Sequence, residues 1–199
     1  LEAHFYLSVA IFAVTMTGTP GPNNMMLTAS GANFGYLRTL PHILGICCGL
    51  GLLIMAIAAG LGVIFQQFPL VQTALKWASS IYLLYLAWRI ASAPPPTLQN
   101  REANRPMNWF EAAGFQFINP KAWVMSIAAV GTFSLSEDNY WLSAWSIALI
   151  FMFAAFPCIS FWTGFGTLIG KVMKTSLQWR WFNIFMGVAT ASCLLFIWN

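Results

Sequence analysis

One stretch constrains this chain more than any other. Residues 5–34 form an apolar run long enough to cross a membrane, yet Thr-Gly-Thr-Pro-Gly-Pro-Asn-Asn, residues 17–24, sits in the middle of it. Proline has no backbone N–H, and its ring clashes with the carbonyl four residues back, so helical bonding fails just before it. A continuous helix over 5–34 would extend about 45 Å, against a hydrocarbon core of about 30 Å. A kinked, strongly tilted or re-entrant path is therefore expected.

Lipid is the expected surroundings because only 7% of the 199 residues are charged and 59% are hydrophobic, whereas soluble domains carry about 25% charged residues. Reading for breaks gives six apolar segments, at about 5–34, 42–65, 70–92, 109–134, 141–166 and 181–198. No basic n-region precedes the first, so it reads as a retained span and not a cleaved signal. Residues 92–108, Ser-Ala-Pro-Pro-Pro-Thr-Leu-Gln-Asn-Arg-Glu-Ala-Asn-Arg-Pro-Met-Asn, are the only sustained polar stretch. Proline and charge make them a surface connection. The sequence thus predicts one membrane domain over 1–199, with a three-helix half at 1–92, a cytoplasmic linker at 93–108 and a second half at 109–199.

Basic residues set the orientation. Arg38, Arg89, Arg101, Arg105, Lys171, Lys174 and Arg180 fall in the first, third and fifth loops, and only Lys76 in the second and fourth. The odd loops are expected in the cytoplasm and both termini outside. The net charge of +4 is then a topology signal, and no nucleic-acid partner is expected. Trp88, Trp109, Tyr140, Trp141, Trp179, Trp181 and Trp198 fall at span ends, where amphipathic rings prefer the headgroup level. Trp123 and Trp162 fall deeper, where they pack between helices or line a cavity.

The fourth segment repeats the break of the first: Phe-Gln-Phe-Ile-Asn-Pro-Lys-Ala-Trp-Val-Met, residues 115–125. Pro20 lies about 22 Å and Pro120 about 16 Å of helix into its run, both at hydrocarbon depth. Three spans per half is odd, so the second half enters from the opposite face. The expected fold is all-α and integral to the membrane: six transmembrane helices as two inverted three-helix repeats, with the first and fourth helices broken. Paired interruptions of this kind mark transport sites near the midplane.

Irregular backbone at that depth survives only where it is buried in protein or lines a wet cavity. Asn23, Asn24 and Asn119 supply amides that donate and accept, and the resuming helices aim N–H groups at the same region, which favours a carboxylate. Thr19, Pro20, Gly21, Pro22, Asn23, Asn24, Asn119, Pro120 and Lys121 are the candidate substrate-binding residues, and a zwitterionic amino acid suits them. Lys121 is the only basic residue well inside a span. Such residues are functional by default; it pairs with a substrate carboxylate, holds a carbonyl in one state of the cycle, or snorkels to water.

These residues carry a resemblance. Thr19-Pro20-Gly21-Pro22-Asn23-Asn24, a small-residue-rich second span, and Phe117-Ile118-Asn119-Pro120-Lys121 resemble the LysE/RhtB family of bacterial amino-acid exporters over essentially the whole chain. The double asparagine is most similar to the branch that exports cysteine and O-acetylserine. The resemblance implies export of small neutral amino acids or derivatives across the inner membrane, driven by the proton gradient. Pro41 and His42, in Thr-Leu-Pro-His-Ile-Leu-Gly, depart from the family's usual small-residue run.

Other features leave alternatives open. Gly31/Gly35 and Gly45/Gly49 have G-x-x-x-G spacing, which suits close packing within the chain or a homodimer face. Pro157, Gly164, Gly166 and Gly170 either bend the fifth span or pack statically. Coupling candidates are Lys121, Glu111 and His42, the last two otherwise being interfacial residues, or the substrate's own amine. Cys47, Cys48, Cys158 and Cys193 lie in apolar stretches without metal-binding spacing, so no metal or cofactor is expected, and no enzymatic activity. A thiol-disulfide carrier would need a cysteine beside each break, which this chain lacks. A metal or cation exporter would need ligands facing one another within spans, whereas His4 and His42 read as near water. A non-transporting scaffold would have no use for two matched breaks.

Overall fold

A computed structural model of the chain describes residues 2–95, 105–135 and 137–198. All regular structure among them is helical. The first apolar run is α1 (Ala3–Gly18) and α2 (Pro22–Phe34), separated at residues 19–21. α3 (Tyr36–Ala56) passes through a π-helical turn, Ile57–Leu61, into α4 (Gly62–Gln67), and α5 (Pro69–Ala91) follows. The second half repeats the plan: α6 (Trp109–Gln116), a break at 117–119, α7 (Pro120–Phe133), a 3-10 turn at Glu137–Asn139, α8 (Tyr140–Val172), α9 (Ser176–Ser192) and α10 (Leu195–Trp198). Of the expected linker, residues 96–104, including Arg101, lie outside the described residues.

Of the six expected segments, two are single helices long and apolar enough to cross a membrane alone: Tyr36–Gln67, taken through its π-turn, and Tyr140–Val172, at 32 and 33 residues. The others are met by shorter, broken or less apolar helices.

The second helix begins at Tyr36, not near residue 42. The cause is Gly35, whose φ of 82° lies in the left-handed region open to glycine. It reverses the chain in a single residue. Thr39 secures the reversal, its hydroxyl donating to the Gly35 carbonyl at 2.9 Å and lying 2.9 Å from the Ser30 hydroxyl. Pro41 therefore falls inside α3. A second feature escaped the sequence: Gly60, at φ 115°, interrupts the helix within the π-turn, where the Tyr140 hydroxyl donates to the Ala58 carbonyl at 2.6 Å. α8, by contrast, continues through Pro157 without a break.

Polarity is reversed relative to a water-soluble protein. Leu37, Leu70, Phe110 and Phe153 are 76–80% exposed, while Gln116 and Asn183 are fully buried. Exposed apolar side chains recur at helical spacing, as Leu142, Trp145, Leu149 and Phe153 do along α8. Such stripes require an apolar cover, and lipid supplies it.

Each half packs its broken helix on the long middle helix of the other: α1 and α2 on α8, α6 on α3, while α5 lies against α9. Small residues permit the close approach. A Cβ on Gly166 would collide with the Thr28 backbone, one on Gly31 with Thr163, and one on Gly170 with Ala32. Gly45 and Gly49 lie in the same way against Trp109 and Ala113. The G-x-x-x-G glycines at 31, 45 and 49 thus pack within the chain, whereas Gly35 serves backbone conformation.

Gly166→Val should destabilise the protein by at least ~2 kcal/mol, because backbone on the facing helix cannot yield. Gly164→Ala, whose Cβ meets nothing within 4 Å, should be neutral or better. Thermal unfolding of the two variants in one detergent checks the pair.

Candidate functional site

The site grows from carbonyls that the prolines strip of their donors. In a continuous helix, residue 20 would donate to the Met16 carbonyl and residue 22 to that of Gly18; both positions are proline. The Thr19 hydroxyl replaces the first donor, at 2.9 Å from Met16 O. The Trp162 indole, from α8, replaces the second at 3.1 Å. The Asn24 amide reaches back to Thr17 O at 3.1 Å and Thr19 O at 2.7 Å. Finally the Lys121 ammonium, from the other half, donates to Thr19 O at 2.6 Å, Thr19 Oγ1 at 2.9 Å and Pro20 O at 3.3 Å.

The second break follows the same logic with different donors. Asn119 caps α7, its side chain accepting from the Lys121 N–H at 3.1 Å. That diverts the natural donor of Phe117 O, and the Trp123 indole takes its place at 2.8 Å. The Ser79 hydroxyl of α5 donates to Ile118 O. The resuming helices therefore differ: α7 is capped by its own asparagine, whereas α2 has no side-chain cap.

Two links join the breaks directly. One is the Lys121 ammonium. The other is an amide pair in which Asn23 Nδ2 donates to Gln116 Oε1 at 2.9 Å and Gln116 Nε2 returns to Asn23 Oδ1 at 3.3 Å. Gly21, Asn23, Asn24, Asn119 and Lys121 border a cavity of about 20 Å³, room for about one water. Pro20, Gly21, Pro22, Pro120 and Lys121 border a neighbouring groove of about 270 Å³. With Thr19 under the ammonium, all nine candidate substrate residues meet in one place.

Lys121 is partly buried, and its ammonium turns to Thr19 and Pro20. The other two coupling candidates lie elsewhere. Glu111 accepts from both Arg105 guanidinium nitrogens, at 2.6 and 2.8 Å, and from the Asn108 N–H at 2.8 Å, closing a capping box that starts α6. His42, expected near water, is 1% exposed, and neither ring nitrogen has a partner among the described residues. The early start of α3 draws it nearly two turns into the helix. It borders a third cavity, of about 90 Å³, with Asn33, Arg89 and Arg105.

Gln116 and Trp162 join the candidate site through bonds that the sequence did not reveal. Gln116 left a signal, a polar residue in an apolar run one turn before Asn-Pro. Trp162 was expected to pack between helices or line a cavity, and its indole bonds across helices to the Gly18 carbonyl. Nothing in the sequence links Ser79 to the second break.

The profile of the LysE type translocators matches residues 14–193. The cysteine/O-acetylserine efflux proteins of Escherichia coli (strain K12) and Shigella flexneri serotype 5b (strain 8401) are each 26% identical over 178 residues, which cover 88% of this chain and 88% of theirs. No solved structure matches significantly. The chain belongs to the LysE type translocators, membrane proteins of solute export, and the matched span takes in both helix breaks and every side chain that ties them together.

Proposed function

We propose that this protein is a secondary active exporter of small neutral amino acids or their derivatives, of the cysteine, O-acetylserine, threonine and homoserine class, driven by the proton-motive force across the bacterial inner membrane. One observation carries the reading: two helix breaks from opposite halves meet around a small cavity where Asn23, Asn24, Asn119 and Lys121 stand in a largely apolar wall that includes Ile46, Leu50 and Met125. A zwitterion presents the complementary pair of groups. The similarity to the cysteine/O-acetylserine efflux proteins of E. coli and Shigella supports the class.

The proposed arrangement has six crossings in two inverted halves, with both termini outside the cytoplasm. The exchange of partners between halves supports it. So does the clustering of chain ends: Phe34, Arg89, Ala93 and Arg105 border one cavity, which brings the first and third basic loops to one end. Tyr140, which opens the fifth crossing, bonds instead to Ala58, near the end of the second. Of the coupling candidates, Lys121 alone touches a break.

Inside-out vesicles containing the protein should accumulate at least one labelled amino acid from a panel of cysteine, O-acetylserine, threonine, homoserine, leucine and lysine, and a protonophore should abolish the accumulation. Failure with all six, in vesicles shown to hold folded protein, overturns the reading. Asn24→Ala leaves Thr17 O without a donor and Thr19 O short of one, at about 1–3 kcal/mol per bare group. It should lower uptake at least tenfold while the protein still elutes as a single species.

A further inference from the structure

The Lys121 ammonium has three N–H donors, and three oxygens receive them: Thr19 O, Thr19 Oγ1 and Pro20 O. None belongs to a carboxylate. The ion pairs among the described residues, His4–Glu2 and Arg105–Glu111, do not include this lysine. Its charge is met by carbonyl dipoles at the C-terminal end of α1, the negative end of a helix. Lys121 and Gly21 border both the 20 Å³ cavity and the 270 Å³ groove, so the lysine stands between them. The fit is close. A Cβ on Gly21 would lie 2.8 Å from Lys121 Cδ and 3.1 Å from Nζ.

A primary ammonium on three neutral oxygens is also how an amino acid's own α-ammonium would be held. We propose that Lys121 is a tethered stand-in for the substrate: its ammonium fills the substrate's amine subsite on Thr19 and Pro20, and a zwitterion loads by exchanging its ammonium for that of Lys121 while its carboxylate pairs with the displaced lysine. This rests on the zwitterion-export reading above and adds a rule of selectivity. Loading a zwitterion leaves the net charge of the site unchanged. Loading a simple amine would put two cations in one low-dielectric site, which is costly. Loading a carboxylate alone would leave the carbonyls bare if Lys121 left them. The site accepts molecules that carry both groups and rejects those with one.

Two measurements test this on the full chain. In the first, unlabelled cysteine and its decarboxylated analogue cysteamine compete with whichever labelled amino acid of the panel accumulates in vesicles. Cysteamine should compete at least 100-fold less well than cysteine against the wild type, and this ratio should shrink at least tenfold in Lys121→Met. In the second, thermal unfolding of detergent-purified Lys121→Ala is followed in methylammonium chloride and in tetramethylammonium chloride, which has no N–H donor. Methylammonium should raise the midpoint of the variant by a few degrees and leave the wild type unmoved, and tetramethylammonium should move neither. Should Lys121→Ala not fold, Gly21→Ala, which displaces the lysine sterically, takes its place. Wild-type uptake with an unchanged cysteine-to-cysteamine ratio in Lys121→Met, or no methylammonium-specific shift, overturns the stand-in and spares the export reading. Absence of uptake in the wild type overturns the export reading, while a methylammonium-specific shift would still locate the amine subsite.

Discussion

A carbonyl inside a bilayer must find a donor in the protein, and everything distinctive about this fold answers that requirement. The first break exposes the carbonyls of Met16, Thr17, Gly18, Thr19 and Pro20, and each is met by a side chain. Left bare, groups of this kind cost about 1–3 kcal/mol each. Five together would rival the whole net stability of a typical domain, about 5–15 kcal/mol. Local Thr19 and Asn24 meet some of these carbonyls, and the rest depend on donors from distant parts of the chain. Trp162 comes from α8 and Lys121 from α7, so closing the first break also docks the two halves. The same α8 that sends the Trp162 indole to Gly18 of α1 also fits its Gly166 and Gly170 closely against α2.

The halves are related in plan but unequal in chemistry. At the second break, short turns of the i to i+3 type and the Asn119 cap satisfy much of the backbone locally. The first has an extended Gly21, no side-chain cap on α2, and a borrowed ammonium. Its carbonyls draw on Trp162 and Lys121 as well as on local Thr19 and Asn24; those of the second draw on local Asn119 and Trp123 and on Ser79 of α5.

What was legible in the sequence follows from this division. Both breaks, and the nine residues that meet at them, could be read because proline, asparagine and lysine are conspicuous in apolar surroundings, and their local consequences are fixed by covalent structure. The partners of Gln116, Trp162 and Ser79 could not be read, because they lie 93, 144 and 39 residues away along the chain. The start of α3 was misplaced for a related reason. Pro41 reads locally as a boundary, but the tight turn at Gly35 and the Thr39 hydroxyl outweigh it, and His42 is carried inward. The π-turn at Gly60 lay hidden in a run of small apolar residues that is equally compatible with a regular helix.

Gly35 has one more consequence. A single-residue connection gives α2 and α3 no slack, so neither can translate along its axis without carrying the other. α3 in turn holds α6 through the contacts at Gly45 and Gly49, and α6 leads into the second break. The covalent path from Asn24 through Gly35 to α3, completed by that packing, is a short, stiff connection with the two breaks at its ends.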